Sequence, residues 1–449
     1  MSAPPRPSSL SVLALFALAS AAPGCSGCGK STAGSDAAPG LSSASVPTAN
    51  AAPSGQTSAA ASASSAAAKP AAAACTVKGD VTVVDQGVRA DTGITLGLAT
   101  LAIGYAKGQG TPKAATFDDA GVVTVSEVSE PFEALDRKPE ASVRRVVQRV
   151  TPLDAKDGKV HVSADYVETT SEKVRRVHCG PASAPFISFE GPSLSAGADG
   201  ATHETVDCRT VQTENGFGAL ESTLETDGQK MTAALTIGGV VLARRETPIK
   251  AGDKPSERYA FTMLGSARGA AGYVYVARFN GSVIVSRRVP EGPSDAGFWL
   301  GTATNPPAVT LDPDGEHVAV WTTLMAKPEL YATRFVYGKK PDAPKPVAIV
   351  DAAPIEERSA VFALARAADT LVVNAEKVGG KRVTKLRRFD AEGKVLGTTA
   401  VGADDETVQE AKLVALPSGD VLLVYVALDR AKGYVIKRSI LGCGDAPAP

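Results

Sequence analysis

The chain has few aromatic residues and almost no net charge, and each of these features argues against one class of binding protein. Aromatic residues make up 5% of the 449 residues, and Trp299 and Trp321 are the only tryptophans. Sugar-binding sites often use exposed aromatic side chains, so this shortage weighs against a lectin. Forty-seven basic residues are balanced by 48 acidic ones. A dedicated nucleic-acid-binding protein is distinctly basic, so the balance argues against nucleic acid as a partner.

Motifs for metal binding and catalysis are missing as well. None of the four histidines has a second ligand at metal-binding spacing; they are His161, His178, His203 and His317. Residues 75–449 contain no H-E-x-x-H, C-x-x-C or G-x-S-x-G pattern. The stretch Asp312–Glu316 lacks the alternating ligands of a calcium loop and predicts a hairpin turn instead. The sequence therefore predicts no metal, no cofactor and no catalytic residue, and it favours a protein that is not an enzyme.

Long apolar runs are confined to one stretch near the N-terminus. Residues 10–22 are almost entirely apolar. A run of about a dozen residues is too short to span a bilayer, but it is typical of the apolar part of a signal peptide. No later stretch reaches the roughly eighteen consecutive apolar residues that a membrane-spanning helix needs. We therefore expect no other segment to span a membrane.

The apolar run ends in Ala22-Pro23-Gly24-Cys25. This arrangement resembles the lipobox of bacterial lipoprotein signal peptides, in which the cysteine receives a diacylglycerol and the peptide is cut just before it. The resemblance implies that residues 1–24 are a signal peptide and that Cys25 is the lipidation site. It also implies an exported protein held to a membrane of the cell envelope, on the periplasmic or cell-surface side. Ser26 is compatible with the outer membrane rather than the inner one.

The composition of residues 25–74 predicts a disordered tether. Between 31 and 74, Asp36 and Lys69 are the only charged side chains, and most of the others are Ala, Ser, Pro, Gly or Thr. Such a segment buries too little apolar surface to offset the conformational entropy lost on folding. As a flexible coil it would hold the following domain roughly 35–40 Å from the membrane on average.

The remaining residues, 75–449, have a strongly β pattern. Strand-like runs such as Gly272–Val276 and His317–Trp321 alternate with turn signals such as Asp227-Gly228. Val421–Leu428 is a continuous apolar run, as expected for a strand covered on both faces. One segment, Glu140–Val150, places its valines on a helical stripe and predicts either a short helix or a twisted strand.

Similar units recur along this region. Thr116–Val122 and Arg388–Val395 both place Phe-Asp shortly before a glycine and a valine. Candidate units begin near residues 93, 145, 217, 258, 307, 360 and 410, at spacings of about 40–55 residues, which is the length of a propeller blade. The pattern resembles an all-β fold, a β-propeller of about seven, and possibly six, four-stranded blades. Two β-sandwich domains are the alternative that short strands and regular turns also permit.

The cysteines of this region suggest how the propeller is held together. Export permits disulfides, and of three possible pairings we prefer Cys179–Cys208 and Cys75–Cys443. The last unit offers only three strands, so Thr76–Val84 is expected to supply the fourth. Cys75–Cys443 would then join the two ends of the chain within one blade. Cys28 is left over, either unpaired or linking two molecules.

Pairs of arginines form the most suggestive constellation. Four pairs that could contact an anion lie late in their units: Arg175 and Arg176, Arg244 and Arg245, Arg287 and Arg288, Arg387 and Arg388. Placed around the outer wall, they would either bind anionic polysaccharide or lipid phosphates, or protect the outer strands from pairing with other chains. The segment Gly180–Asp207 interrupts the spacing of the units and is the expected contact loop.

These features lead to three functional hypotheses. The favoured one is a non-catalytic propeller that serves as an interaction scaffold for an unknown protein or polysaccharide. The second is a carbohydrate-binding or carbohydrate-active propeller, which predicts carboxylates clustered in the central channel. The third is a subunit of an envelope assembly.

Overall fold

The computed structural model of the protein describes residues 74–444, apart from gaps of which the longest are 130–142, 193–201, 250–259, 289–297 and 347–360. Residues 68–449 form one compact unit. Every helix or strand within the described ranges is a β-strand. None of the described residues belongs to a helix that is long and apolar enough to cross a membrane.

The strands form groups that are consecutive in sequence and that we call blades. The first strand, β1, spans Thr76–Gln86 and belongs to the last blade. Blade 1 contains β2 Ile94–Leu96, β3 Ala102–Lys107, β4 Thr111–Phe117 and β5 Val123–Ser129. Blade 2 contains β6 Val143–Lys156, β7 Lys159–Thr170, β8 Val174–Cys179, β9 Ile187–Ser188 and β10 Gly191–Pro192. Blade 3 contains β11 Thr202–Thr213, β12 Gly216–Thr226, β13 Lys230–Ile237 and β14 Val240–Pro248.

The other four blades follow the same plan. Blade 4 contains β15 Thr262–Gly269, β16 Gly272–Phe279, β17 Ser282–Arg288 and β18 Phe298–Thr302, and blade 5 contains β19 Ala308–Leu311, β20 His317–Leu324, β21 Lys327–Val336 and β22 Lys345–Pro346. Blade 6 contains β23 Phe362–Ala365, β24 Thr370–Val378, β25 Lys381–Phe389 and β26 Val395–Ala400. Blade 7 contains β27 Thr407–Ala415, β28 Val421–Asp429 and β29 Gly433–Gly442, and β1 completes it.

Blades 3 to 7 are separate four-stranded antiparallel sheets. Blades 1 and 2 are joined into one sheet of nine strands, because β5 pairs in parallel with the start of β7. The first strands of successive blades lie next to one another, from β11 through β15, β19 and β23 to β27, and then to β2 and β6. Between blades 2 and 3, β11 contacts β7 and β8 instead. The seven groups therefore surround a common centre, and the predicted β-propeller is confirmed.

The apolar core lies between successive blades. In β28 all residues from Val421 to Ala427 are buried, as predicted for a strand covered on both faces. Val421 and Leu423 face a cluster shared with blade 6, whereas Leu422 and Val424 face a cluster shared with blade 1. Similar clusters fill other spaces between blades. Because each sheet buries both faces against two neighbours, the alternative of two β-sandwich domains does not hold.

Blade 7 joins the two ends of the domain. β1 pairs antiparallel with β29, so the order is β27, β28, β29 and β1 from the centre outwards. The Cys75–Cys443 disulfide links the start of β1 to the residue after β29, and Cys179–Cys208 links β8 to β11. These are the pairings that the sequence favoured. The Tyr105 hydroxyl of blade 1 donates to Asp85 Oδ2 of β1 at 2.8 Å, which ties blade 1 to this outer strand.

One detail of the sequence prediction needs correction, and one open alternative is decided. The unit expected to begin near residue 217 begins with β11 at Thr202, so the end of the expected loop Gly180–Asp207 is a strand. For the segment Glu140–Val150 the strand alternative is the one found, because β6 begins at Val143. Its register with β7 shifts between Val147 and Arg149, and this irregularity lets valines that do not alternate strictly belong to one strand.

Candidate binding site in the central channel

The first strands of the blades carry charged side chains where they surround the centre. Glu410 lies on β27, and its Oε2 accepts a hydrogen bond from the backbone N–H of Ile94 at 2.8 Å. Its Oε1 lies 2.8 Å from Lys412 Nζ. Gly93 has a φ of +61°, which favours glycine, and a Cβ there would come within 1.9 Å of Glu410 Oε2 and displace this carboxylate. Glu410 therefore fixes the inner edge of blade 7 to that of blade 1.

Lys412 extends this contact to a third blade. Its Nζ lies 5.8 Å from the centre of the Phe362 ring on β23, which is a distance typical of a cation–π interaction. Both Glu410 and Lys412 are partly exposed. Blades 6, 7 and 1 thus present one acidic and one basic group at the centre, each held in place by its neighbours.

A buried carboxylate occupies the space between blades 2 and 3. Asp165 on β7 has 1% of its surface exposed. Its oxygens accept hydrogen bonds from Ser163 Oγ at 3.2 Å, Thr210 Oγ1 at 2.8 Å, and the backbone N–H groups of Gly180 and Thr210 at 3.3 Å each. Burial raises the pKa of Asp165, although the charge of Arg149 and these hydrogen bonds act to lower it. Arg149 Nη1 lies 3.6 Å from its Oδ2.

Arg209 lies beside Thr210 on β11 and completes the charged group. Burial, with a smaller contribution from the positive charge of Arg149, lowers the pKa of the Arg209 guanidinium to about 9. The negative charges of Asp207, Asp165 and Glu410 act in the opposite direction. Arg209 therefore stays protonated at neutral pH. Glu410 belongs to blade 7 and Arg209 to blade 3, so the electrostatic interaction between them crosses the centre of the propeller.

We call Arg149, Asp165, Arg209, Glu410 and Lys412 the channel cluster. It contains both signs of charge rather than a set of carboxylates alone. Within the described residues, no group of three or more His, Cys, Asp or Glu side chains is placed to hold a metal ion. Glu410 and Lys412 are the partly exposed members of the cluster and are suited to contacting a polar ligand that bears charge. Asp165 is buried, so it acts only through the residues that it contacts.

The sequence suggested that the arginine pairs lie around the outer wall, but only one of these four pairs lies on the outermost strand of its blade. Arg244 and Arg245 lie on β14, the outermost strand of blade 3, and are exposed. The pairs of blades 2, 4 and 6 lie on third strands: Arg175 and Arg176 on β8, Arg287 and Arg288 on β17, Arg387 and Arg388 on β25. The side chains of Arg175, Arg176, Arg287 and Arg288 lie outside the described part of the structure.

Arg387 and Arg388 are buried, with 0% and 5% exposure, so they offer no open surface to an anion. Arg387 forms an ion pair with Glu376, and its Nη1 donates to Asn374 Oδ1 at 3.1 Å. Arg388 pairs with Asp369, to which Arg366 also binds through two hydrogen bonds of 2.7 and 2.6 Å. The pair therefore differs from the prediction because β25 is an inner strand of its sheet, and because Glu376 on β24 and Asp369 just before β24 bind the two guanidinium groups.

Several predicted residues are not part of the described structure. Cys25, Cys28 and the tether precede residue 74. Asp312–Glu316 is also outside the described ranges. The expected contact loop is described only in part, so its role stays a prediction.

The channel cluster is not apparent from the sequence. Its members come from β6, β7, β11 and β27, and they show no common spacing. The one feature of the sequence that points to this cluster is a charged residue within a stretch that is predicted to be buried, such as Arg149 between Val147 and Val150.

Comparison with known proteins gives likenesses of fold at low similarity. No protein-family description and no curated protein matches the chain. The NanB sialidase from Streptococcus pneumoniae is 9% identical with a TM-score of 0.42, over 81% of this chain and 70% of that chain. The Dos1 propeller is 10% identical with a TM-score of 0.41, over 80% and 95%. A protein of unknown function from Dyadobacter fermentans is 12% identical with a TM-score of 0.36, over 81% and 99%. The fold assignment rests on strand pairing, and these likenesses say nothing of function.

Proposed function

We propose that this chain is an exported lipoprotein of the cell envelope, anchored through Cys25, whose propeller is a non-catalytic scaffold that binds a partner in its central channel. The observation that carries the scaffold is the channel cluster. Glu410 is held by Ile94 and Lys412, and the buried Asp165 is held by Thr210, Gly180 and Ser163. Fixed charges of both signs support the recognition of a polar, charged partner.

The two disulfides support the exported location, because such bonds persist in oxidising compartments. The anchor itself is tested by replacing Cys25→Ala in the full chain, with Cys28→Ala as the matched control. We expect Cys25→Ala to abolish acylation of the N-terminal peptide, measured by mass spectrometry, and to leave the signal peptide uncut. Cys28→Ala should behave as the natural chain does. Equal acylation of the natural chain and the Cys25→Ala variant would contradict the anchor.

The binding role is tested with polysaccharides of defined charge. Isothermal calorimetry with polygalacturonate, dextran sulfate and neutral dextran compares the natural protein with Arg209→Gln and Lys412→Gln. We expect one of the charged polymers to bind and these variants to weaken that binding by tenfold or more, roughly the effect of losing one charge-assisted hydrogen bond. Arg244→Gln on the outer strand of blade 3 is the control and should bind normally. Binding that Arg244→Gln weakens as much as Arg209→Gln would place the ligand elsewhere.

A carbohydrate-active propeller is the second candidate, because the channel is charged rather than apolar. The same mixtures are assayed for new reducing ends. Release of reducing ends that Glu410→Gln abolishes would replace the non-catalytic scaffold with an enzyme. Failure of every polymer to bind, together with recovery of the protein in a larger complex from gently solubilised membranes, would favour the third hypothesis, a subunit of an envelope assembly.

A further inference from the structure

Two neighbouring hairpins carry lysines beside exposed aliphatic side chains. In blade 6 the hairpin between β24 and β25 holds Lys377, Val378 and Lys381, and in blade 7 the hairpin between β28 and β29 holds Leu428 and Lys432. The three lysines are exposed. Val378 is 41% and Leu428 is 42% exposed. We call these five residues the hairpin patch.

The two hairpins lie on the same face of the propeller. Ala400 at the end of β26 pairs with Lys385, four residues from Lys381, and Thr407 at the start of β27 pairs with Leu428. Residues 401–406 therefore connect the hairpin end of blade 6 directly to the hairpin end of blade 7. Since the first strands of these blades also lie side by side, the two tips are neighbours.

The backbone holds these tips in defined turns. Gly379 and Gly380 have φ values of 58° and 85°, the left-handed conformation of a two-residue hairpin turn. In blade 7, Asp429 Oδ1 accepts hydrogen bonds from the backbone N–H groups of Ala431 and Lys432 at 2.8 and 3.1 Å. Asp429 keeps its negative charge in this turn, and Glu406 in the connector is paired with Lys437. The described tips therefore present three lysines against one carboxylate.

We propose that the hairpin patch rests on the surface of a bilayer that contains anionic lipids. Lysine heads bind lipid phosphates, while short aliphatic side chains enter the boundary between head groups and acyl chains. A soluble polyanion would use the lysines but would gain nothing from Val378 and Leu428. This inference rests on the proposed lipid anchor, which would keep the domain close to such a surface, but the patch is expected to bind the surface without it.

The geometry of the anchor allows this orientation. Thr76 pairs with Gly442 and Gln86 pairs with Val435, so Cys75 lies at the face opposite the hairpin patch. An 11-residue strand such as β1 is roughly 35 Å long. A flexible spacer of the length of residues 26–74 has a mean span of roughly 40 Å and a much greater extended length. The predicted tether is therefore long enough to pass the rim of the propeller.

The test uses the compact unit 68–449, which holds both disulfides and lacks the anchor. Its binding to vesicles of phosphatidylcholine with 30% phosphatidylglycerol is measured by sedimentation and compared with pure phosphatidylcholine. One variant carries Lys377→Ala, Lys381→Ala and Lys432→Ala. The matched control carries Lys156→Ala, Lys159→Ala and Lys394→Ala, three exposed lysines in turns of the opposite face. A third variant carries Val378→Asn and Leu428→Asn, and thermal unfolding verifies that all variants are folded.

We expect binding to the anionic vesicles that the first variant weakens by roughly 100-fold, since each lysine near such a surface contributes about fivefold. The control should keep its binding, and the third variant should lose about tenfold even at high salt. Absence of binding to anionic vesicles, or equal loss in the patch and control variants, would overturn the proposal. Loss with the lysine variant but not with the aliphatic variant would also overturn it, in favour of a soluble polyanion. Because the unit lacks Cys25, none of these results depends on whether the anchor exists.

Discussion

At the scale of single residues, this propeller concentrates charge in places where apolar side chains are usual. Asp165 sits between blades 2 and 3, where Thr210, Gly180 and Ser163 donate to it. Gly180 follows Cys179 and Thr210 lies two residues after Cys208, so the carboxylate binds both strands that the disulfide joins. A buried acceptor with several donors is costly to remove, since each donor would lose its partner.

Substitution of Asp165 should change the pH dependence of stability. Burial raises its pKa in the folded protein above the unfolded value near 4, so the folded state holds the proton more tightly. Its contribution to stability is therefore fully present below that value and is lost as the pH rises through the folded pKa. The free energy of unfolding, measured by urea denaturation, should therefore fall less between pH 4 and 7 in Asp165→Asn than in the natural protein.

Asp165→Ala serves as the comparison at the same site. It removes the titrating group together with its hydrogen bonds, so it should destabilise the protein by about 2–4 kcal/mol at every pH in this range. If Asp165→Asn retains the full pH dependence of the natural protein, another group causes it.

The buried pair of Arg387 and Glu376 gives a second prediction at this scale. Both side chains are 0% exposed. Arg387→Met leaves the carboxylate buried with less compensation and should cost about 3–5 kcal/mol in the free energy of unfolding. Glu376→Leu combined with Arg387→Met removes both charges and should recover much of that loss, as measured by urea denaturation. A double variant as unstable as the single one would mean that the pair itself stabilises the fold.

At the scale of strands and blades, much was predictable because burial and turns leave local patterns. The run Val421–Leu428 and the completion of its blade by the segment after Cys75 follow from alternation, turn residues and a count of strands. The positions of Arg387 and Arg388 were not predictable in this way. A strand is third rather than fourth in its sheet when a further strand pairs with its outer edge. A charged residue has the same neighbours in the sequence in both cases. The channel cluster was hidden for a related reason, since Arg209 and Glu410 meet only after seven blades are arranged around one centre.

The two disulfides should differ in their contribution to stability. Cys75–Cys443 encloses 368 residues, whereas Cys179–Cys208 encloses 29. In the chain-entropy model the first is worth about 5–6 kcal/mol and the second roughly 3–4 kcal/mol. Cys75→Ser with Cys443→Ser should therefore lower the Tm more than Cys179→Ser with Cys208→Ser. The reverse order in calorimetry would show that the ends of blade 7 stay together without their covalent link.

At the scale of the whole molecule, the chain divides into a compact domain and an N-terminal segment of different composition. Residues 68–449 form one unit, and the structure describes residues from 74 onward. The seven blades contribute unequal surfaces to it. Blades 2, 3 and 7 supply the channel cluster, whereas blades 6 and 7 supply the hairpin patch.

Limited proteolysis should separate these parts. A low concentration of proteinase K is expected to remove the segment before Cys75 first, because its composition, mostly Ala, Ser, Pro, Gly and Thr between 31 and 74, has few apolar side chains for a core. The domain should persist as one band on a non-reducing gel, with an N-terminus between residues 68 and 75 by mass spectrometry. Early cleavage inside β27, β28 or β29, before the segment is lost, would contradict this division.

The position of Cys75 has a mechanical consequence. A pull on the N-terminal segment would reach this residue before it reaches any hydrogen bond of β1. The disulfide passes the load to Cys443 and so to β29, a strand held between two neighbours. Without the sulfur bridge the same pull would peel β1 from the edge of its sheet, pair by pair, starting at Thr76. The bridge would therefore protect the outer strand against tension that the proposed anchor transmits.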